Sequence, residues 1–209
     1  MDRKQKILMA FLVASTLLAG GAALAAVSVL RDVRVPESGF PAEKLRQHKT
    51  PPAFELTDQH GEKVSLGALK GKVVVLTAVY ATCHTACPSI ITQAKSAVNK
   101  LSDEQRSDVT IVAITLDPEG DTQDKRAMTA KAHNLAAPLF RYVNGPDPDA
   151  VLKLVEDLGW ARAVAGDTGV IGHSNLFLLV DRQGKIAYTV SADANNDWLD
   201  QALQVLLAE

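Results

Sequence analysis

Two cysteines, Cys83 and Cys87, are the only ones in the 209-residue chain, and they lie close together in Tyr80-Ala81-Thr82-Cys83-His84-Thr85-Ala86-Cys87-Pro88. They follow the apolar run Val73 to Val79 and precede a segment with helical spacing, so the pair falls where a buried strand opens into a helix. Partial positive charge at a helix N-terminus favours thiolate over thiol, and thiolate is both the nucleophile and the metal ligand. The chemistry to expect is thiol redox or soft-metal binding at one dithiol site. A structural disulfide explains the spacing poorly, because closing so short a loop removes little chain entropy, about 2 kcal/mol on the loop model.

Two further stretches place polar residues at strand edges: Leu116-Asp117-Pro118-Glu119-Gly120-Asp121-Thr122 and Gly172-His173-Ser174-Asn175. A doubly covered sheet puts its sites at such edges. Together the three stretches resemble the Sco/SenC family of copper-binding, thioredoxin-like proteins that assist cytochrome oxidase assembly. The family's Cys-x3-Cys-Pro matches Cys83, Cys87 and Pro88, and its Asp-Pro-x-x-Asp-Thr matches Asp117, Pro118, Asp121 and Thr122. Its distal His, ahead of a strand and a turn ending in Gly, matches His173 and Gly184.

The resemblance spans roughly residues 50 to 207. It implies copper ligation by Cys83, Cys87 and His173; His84, Asp117 and Asp121 read as accessory residues beside them. It also implies a copper-centre subunit of cytochrome oxidase, or another copper acceptor, as partner, and a thiol reductant that keeps the pair reduced. Two positions depart from the family pattern. His84 stands where such proteins usually have Pro and offers a competing ligand. Gly172 stands where they usually have Asp, and an acidic side chain there is expected to orient the imidazole, so Gly172→Asp is expected to tighten Cu(II) binding. Asp117 reads as a turn residue with a direct site role open, and Asp121 reads as the N-cap of a helix beginning at Thr122.

Physical chemistry supports copper beside the resemblance. Two thiolates at this spacing face one point if the segment is a turn or the first turn of a helix. Two soft sulfurs select Cu(I), and one imidazole completes a three-coordinate site that also holds Cu(II); zinc ordinarily wants a fourth ligand. A metallochaperone is the leading reading. The rival is a thiol–disulfide oxidoreductase with Cys83 attacking and Cys87 resolving. A peroxidase lacks its expected Pro-x3-Thr-x2-Cys pattern, since Tyr80 and His84 occupy the Thr positions. His48, His60 and His133 read as solvated.

The elements that must position these residues alternate. A hairpin-like opening at Phe54–Asp58 and Lys63–Leu66 leads to a strand from Val73 to Tyr80, a helix from Ser89 to Leu101, a strand from Val109 to Leu116 and a charged helix from Thr122 to Asn134. A short strand from Leu139 to Val143, a helix ending near Leu158 with Asp147 as cap, strands at Asn175–Val180 and Lys185–Val190, and a helix from Asn196 to Leu207 complete the order. This pattern gives an α/β domain, a mixed sheet covered on both faces, which the resemblance makes thioredoxin-like. The domain occupies residues 53–209, behind a Pro-rich linker at 31–52.

At the N-terminus, Arg3, Lys4 and Lys6 precede an uncharged stretch from Ile7 to Leu30. As a helix it would span about 36 Å, more than the roughly 30 Å hydrocarbon core of a bilayer. It reads as a transmembrane anchor in the inner membrane with the domain in the periplasm. The alternative is a signal cleaved after Ala25, leaving the domain soluble there. A net charge of −2 excludes nucleic acid as a partner.

Overall fold

The computed structural model describes residues 39–166, 169–192 and 197–209. In chain order its elements are α1 (Ala42–Leu45), β1 (Glu55–Thr57), β2 (Lys63–Ser65), β3 (Val73–Val79), α2 (Ala86–Asn99), α3 (Asp103–Ser107), β4 (Val109–Thr115), α4 (Gln123–Ala132), β5 (Phe140–Val143), α5 (Pro148–Asp157), β6 (Arg162–Ala165), β7 (Val170–His173), β8 (Leu176–Val180), β9 (Ile186–Ser191) and α6 (Trp198–Leu207). The segment Ile7 to Leu30, read as an anchor or signal, lies outside the described residues. Among those residues no helix is long and apolar enough to cross a membrane.

β3 and β4 are aliphatic and β-branched throughout, and every residue in both is buried, as strands covered on both faces require. They pair in parallel from Val73↔Val109 to Val79↔Thr115. β5 continues the parallel side, while β8 and β9 add antiparallel neighbours, giving the mixed order β5-β4-β3-β8-β9. α2 buries Ile90, Ile91, Ala94, Ala97 and Val98 on one stripe. It lies against α6, which also packs on β3, β8 and β9 through Leu199, Ala202, Leu203 and Leu206. β1 and β2 form the expected hairpin. Asp147 caps α5, accepting from the backbone N–H groups of Asp149 and Ala150, with Pro148 in the first turn where its missing N–H costs nothing.

Three features depart from the sequence expectations. The first part of the segment read as a linker lies outside the described residues, and from Phe40 the chain lies on the domain. The Phe40 ring meets Tyr188 and Trp198 edge-on at 4.9 and 5.7 Å, Gln47 N donates to Ala187 O, and Arg46 pairs with Glu209 and Asp181. Pro content masked this because one aromatic anchor and a few β-type bonds need no periodicity. A short helix, α3, stands between α2 and β4, closed by a reciprocal Ser102–Gln105 capping box. The third is the hairpin β6–β7, separate from the main sheet and paired from Arg162↔His173 to Ala165↔Val170. His173 therefore ends a strand of its own instead of opening β8.

Truncating Phe40 tests whether the segment before β1 belongs to the folded unit. We expect Phe40→Ala to lower unfolding free energy by about 1–3 kcal/mol, less than for a fully buried ring, in urea titration of the full chain. An unchanged midpoint would return residues 40–50 to the status of a linker.

Candidate metal centre

The dithiol is set by the junction of β3 and α2. After Val79 the chain turns, with Cys83 N donating to Tyr80 O at 3.2 Å, and α2 starts at Ala86. Cys87 is the second residue of that helix and Pro88 the third, a position whose N–H would have no partner within the helix. Thr85, the N-cap residue, makes no side-chain cap bond. The Cys83 sulfur takes that place, accepting from Cys87 N at 3.3 Å and lying 3.8 Å from Thr85 Oγ1. One cysteine thus caps the helix whose first turn carries the other.

That arrangement separates the two thiols. Burial pushes Cys83 up, but hydrogen bonds from the Cys87 thiol, the backbone N–H groups of Cys87 and Thr85, and the Thr85 hydroxyl outweigh it and bring the group down to about 7. Cys87 moves far the other way, driven first by burial, then by its bond to Cys83, with the Asp121 charge acting in the same direction. Both are free thiols.

His173 reaches the pair from the β6–β7 hairpin. Its Nε2 lies 3.5 Å from Cys87 Sγ, and its Nδ1 lies 3.1 Å from Ser174 O. A carbonyl oxygen can only accept, so Nδ1 carries a proton; in the neutral ring this leaves the Nε2 lone pair facing sulfur, the tautomer a metal ligand needs. Tyr80 stands edge-on to the imidazole at 6.1 Å between centroids. The donor atoms of Cys83, Cys87 and His173 all lie within 4.8 Å of one another. The hairpin is tied to the sheet by Arg162 Nε donating to Leu116 O at 2.8 Å and by Trp160 Nε1, just before β6, donating to Leu176 O of β8 at 3.3 Å, while Ala161 N donating to Ser174 Oγ at 3.0 Å closes its base.

The other sequence candidates fall into different roles. His84 is exposed and outside the donor cluster. Asp117 is a turn residue: its Oδ1 accepts from Gly120 N at 3.0 Å, and it folds so closely over residue 120 that a Cβ there would sit 2.0 Å from Oδ2. Asp121 does not cap the following helix. Thr122 does, accepting from Lys125 N. Asp121 instead turns inward, fully buried, and accepts from Ala81 N at 3.0 Å, Thr115 Oγ1 at 2.6 Å and Tyr142 OH at 2.5 Å. Burial, reinforced by Asp121, holds the Tyr142 phenol well above its ordinary range. His133 is not simply solvated. It is half-buried and lines a cavity of about 130 Å³ with Tyr80, Cys83, Cys87 and Ile91.

Gly172 also reads differently in place. It lies within β7 opposite Ala163, has no left-handed backbone angle, and a Cβ there would meet only Ala163 O, at 3.8 Å. Space is therefore available for Asp. Successive strand residues point to opposite faces, however, so a side chain at 172 would point away from the imidazole, whose Nδ1 already has Ser174 O. The expectation that Gly172→Asp tightens binding by orienting the ring loses its physical basis.

Tyr142 and Thr115 were not identified from the sequence as belonging to this region. The hairpin that presents His173 had a usable signal, Gly166-Asp167-Thr168-Gly169 between Ala163-Val164-Ala165 and Val170-Ile171, a Gly-bounded turn between small and β-branched residues.

The SCO1/SenC family model matches residues 42–208 of the chain. A SCO1 protein homolog of Bacillus subtilis is 26% identical over 149 residues, 70% of this chain and 76% of its own length. Among solved structures, copper-bound ScoI of Bradyrhizobium japonicum superposes with a TM-score of 0.61 at 23% identity, covering 75% of this chain and 99% of the other. BsSco, described as a member of the Sco family of cytochrome c oxidase assembly proteins with a disulfide switch, gives 0.66 at 20% identity, covering 78% and 96%.

The asymmetry of the pair is open to direct measurement. Alkylation of the reduced chain by iodoacetamide, mapped by mass spectrometry, is expected to modify Cys83 with a rate that rises through a midpoint near pH 7, because the reactive thiolate forms above that point. Cys87 should stay unmodified through the same range. Equal rates at the two positions would contradict the capping arrangement.

Proposed function

The chain belongs to the SCO1/SenC family, and from that premise we propose that it is a copper-binding assembly factor. It holds one copper between Cys83, Cys87 and His173 and passes it to a copper site of a respiratory oxidase. The observation that carries this reading is the convergence of three donor atoms within 4.8 Å, with the imidazole turned Nε2-inward. The donor set fits copper. Two sulfurs suit Cu(I), and sulfur with imidazole also accommodates Cu(II). The thiolate of Cys83 is available near neutral pH, whereas Cys87 must lose its proton on metal binding, since a coordinated thiol is deprotonated outright. Asp121 and Tyr142 take no part in ligation here; they hold the loop at Ala81 that carries Cys83.

A second reading rests on the same asymmetry. Cys83 is the more ionised thiol and the less buried of the two, 7% against 2% exposed, as an attacking residue should be. As a reductant, Cys83 thiolate would attack a partner's disulfide to give a mixed disulfide and one partner thiolate. Cys87 would then displace the second partner sulfur, closing the Cys83–Cys87 bond and leaving the partner reduced by two electrons.

We further propose that the domain works outside the cytoplasm, behind the basic N-terminus and apolar stretch of the sequence. Membrane fractionation with N-terminal sequencing tests this. Retention in the membrane with an intact N-terminus is expected for an anchor, a soluble periplasmic chain beginning at Ala26 shows cleavage, and recovery in the cytoplasm defeats export.

Copper stoichiometry decides between the two functions. The reduced chain is expected to bind one copper, and Cys83→Ser or Cys87→Ser should abolish tight binding. His173→Ala should retain Cu(I) on the two sulfurs and lose most Cu(II). Unchanged copper in Cys83→Ser would defeat the ligand assignment, and turnover of a disulfide substrate by a chain that takes up no copper would favour the reductase.

A further inference from the structure

Both cysteines border a second space besides the one His173 fills. The cavity of about 130 Å³ beside them is walled by Tyr80, Ala81, Pro88 and Ile91 from the β3–α2 side and by Thr129, Ala132 and His133 from the C-terminal end of α4. His173 is not among its walls. The imidazole therefore does not border this space, although Cys87 and Tyr80 touch both. A volume of this size holds a few waters or one short side chain, and except for Thr129 and the His133 edge its walls are apolar. Thr129, Ala132 and His133 stand at helical spacing along one stripe of α4, so one face of that helix forms the outer wall. Ala132 is exposed although it lines the cavity, which puts it at the mouth. His133 is fixed there through its backbone, its carbonyl accepting from Lys95 Nζ of α2 at 2.6 Å.

We propose that this cavity is the port through which the copper acceptor inserts a single cysteine side chain; the inference rests on the copper reading above. A neutral thiol on a one-carbon stem suits short apolar walls. An imidazole would bring a second nitrogen needing a partner, and a carboxylate would be desolvated without one. In the exchange, the incoming sulfur forms a bond to Cu(I) while both protein sulfurs and His173 still hold it, and its proton leaves to bulk water at the mouth. The Cu–Nε2 bond to His173 breaks next, and the bonds to Cys83 and Cys87 follow as a second thiolate of the acceptor closes on the copper; the two freed protein sulfurs take up the protons that the acceptor thiols released to solvent. Copper stays Cu(I) throughout, so no oxidant or reductant enters. The acceptor's ligand thus arrives before His173 leaves, through a space that the imidazole does not border. The partner this fits presents a cysteine on a protruding segment.

The test uses the full chain loaded with Cu(I) and an excess of the peptide Ac-Gly-Cys-Gly-NH2, following loss of protein-bound copper. Ala132→Trp should plug the mouth without touching a ligand or the core, and Ala132→Ser serves as the size-matched control. The expected result is equal copper loading in all three chains and a transfer rate lowered at least about tenfold in Ala132→Trp alone, the scale of forcing a ring out of filled space. The same slowing should persist in a His173→Ala background, because the port does not depend on the imidazole. Transfer from Ala132→Trp as fast as from the wild type, at equal loading, overturns the port and leaves the copper reading standing. Failure of the wild type to take up copper overturns both. A slowing that disappears in the His173→Ala background places the entry on the imidazole side and also overturns the proposal. Should Ala132→Trp not fold, Thr129→Leu narrows the same wall and carries the same expectations.

Discussion

A buried carboxylate holds this end of the sheet together. Asp121 sits at zero exposure and draws three donors onto itself from three parallel strands: Ala81 N just past β3, Thr115 Oγ1 at the end of β4, and Tyr142 OH from β5. Bonds to a charged acceptor in a dry interior are worth roughly 1.5–3 kcal/mol each, and leaving such donors unmade costs about as much again. The ends of these strands are where the dithiol loop begins. Arg126 closes the network from below, its guanidinium buried and satisfied by the carbonyls of Tyr142, Asp121 and Asp58. Asp58 is held in turn by Arg141 and by the backbone N–H groups of His60 and Glu62. The network carries charge without exposing it, and its product is a fixed position for Ala81, two residues before Cys83.

From that fixed loop the difference between the thiols follows. Cys83 lies outside the helix and accepts at its N-terminus, where unpaired N–H groups concentrate positive potential. Cys87 lies inside the first turn, under Tyr80 and beside the interior that contains Asp121, so its own ionisation is opposed by burial and by that charge. Two identical residues thus become a ready ligand and a reluctant one. A metal held by both sulfurs would have to drive the proton off the second, which would tie occupancy of such a site to pH.

Much of this was legible from residue pattern. Continuous apolar runs identified β3 and β4, helical spacing identified α2 and α6, and the Asp147-Pro148 signal identified the start of α5. The dithiol's place at a strand–helix junction followed from the same pattern. Other features were not legible, each for a physical reason. Asp121 sits one residue before a helix, where a cap and a buried acceptor look alike in sequence; Thr122 serves as the cap and frees Asp121 to turn inward. His133 ends a charged helix, and only packing against α2 gives its face a neighbour. The β6–β7 hairpin was lost because Ala163, Val164 and Ala165 give little contrast between inward and outward positions, so alternation, the usual strand signal, is faint. The segment from Phe40 to Thr50 is held by two ring contacts, an Arg46 ion-pair cluster and single β-bridge bonds, none of which has a period.

The hairpin that escaped detection is also the element that distinguishes the third donor from the first two. The sulfurs stand on the central strand and its helix, inside the continuous core. The imidazole stands on two short strands that share no ladder bond with the main sheet and are joined to it by Arg162, Trp160 and the backbone that continues into β8. Fewer buried contacts mean a lower local opening free energy. Under the proposed reading, the sulfurs would set whether a soft metal is held at all, and the hairpin whether the harder imidazole contact is made with it. Of the three donors, the imidazole therefore stands on the least supported element, and a contact made through it would be the first to yield.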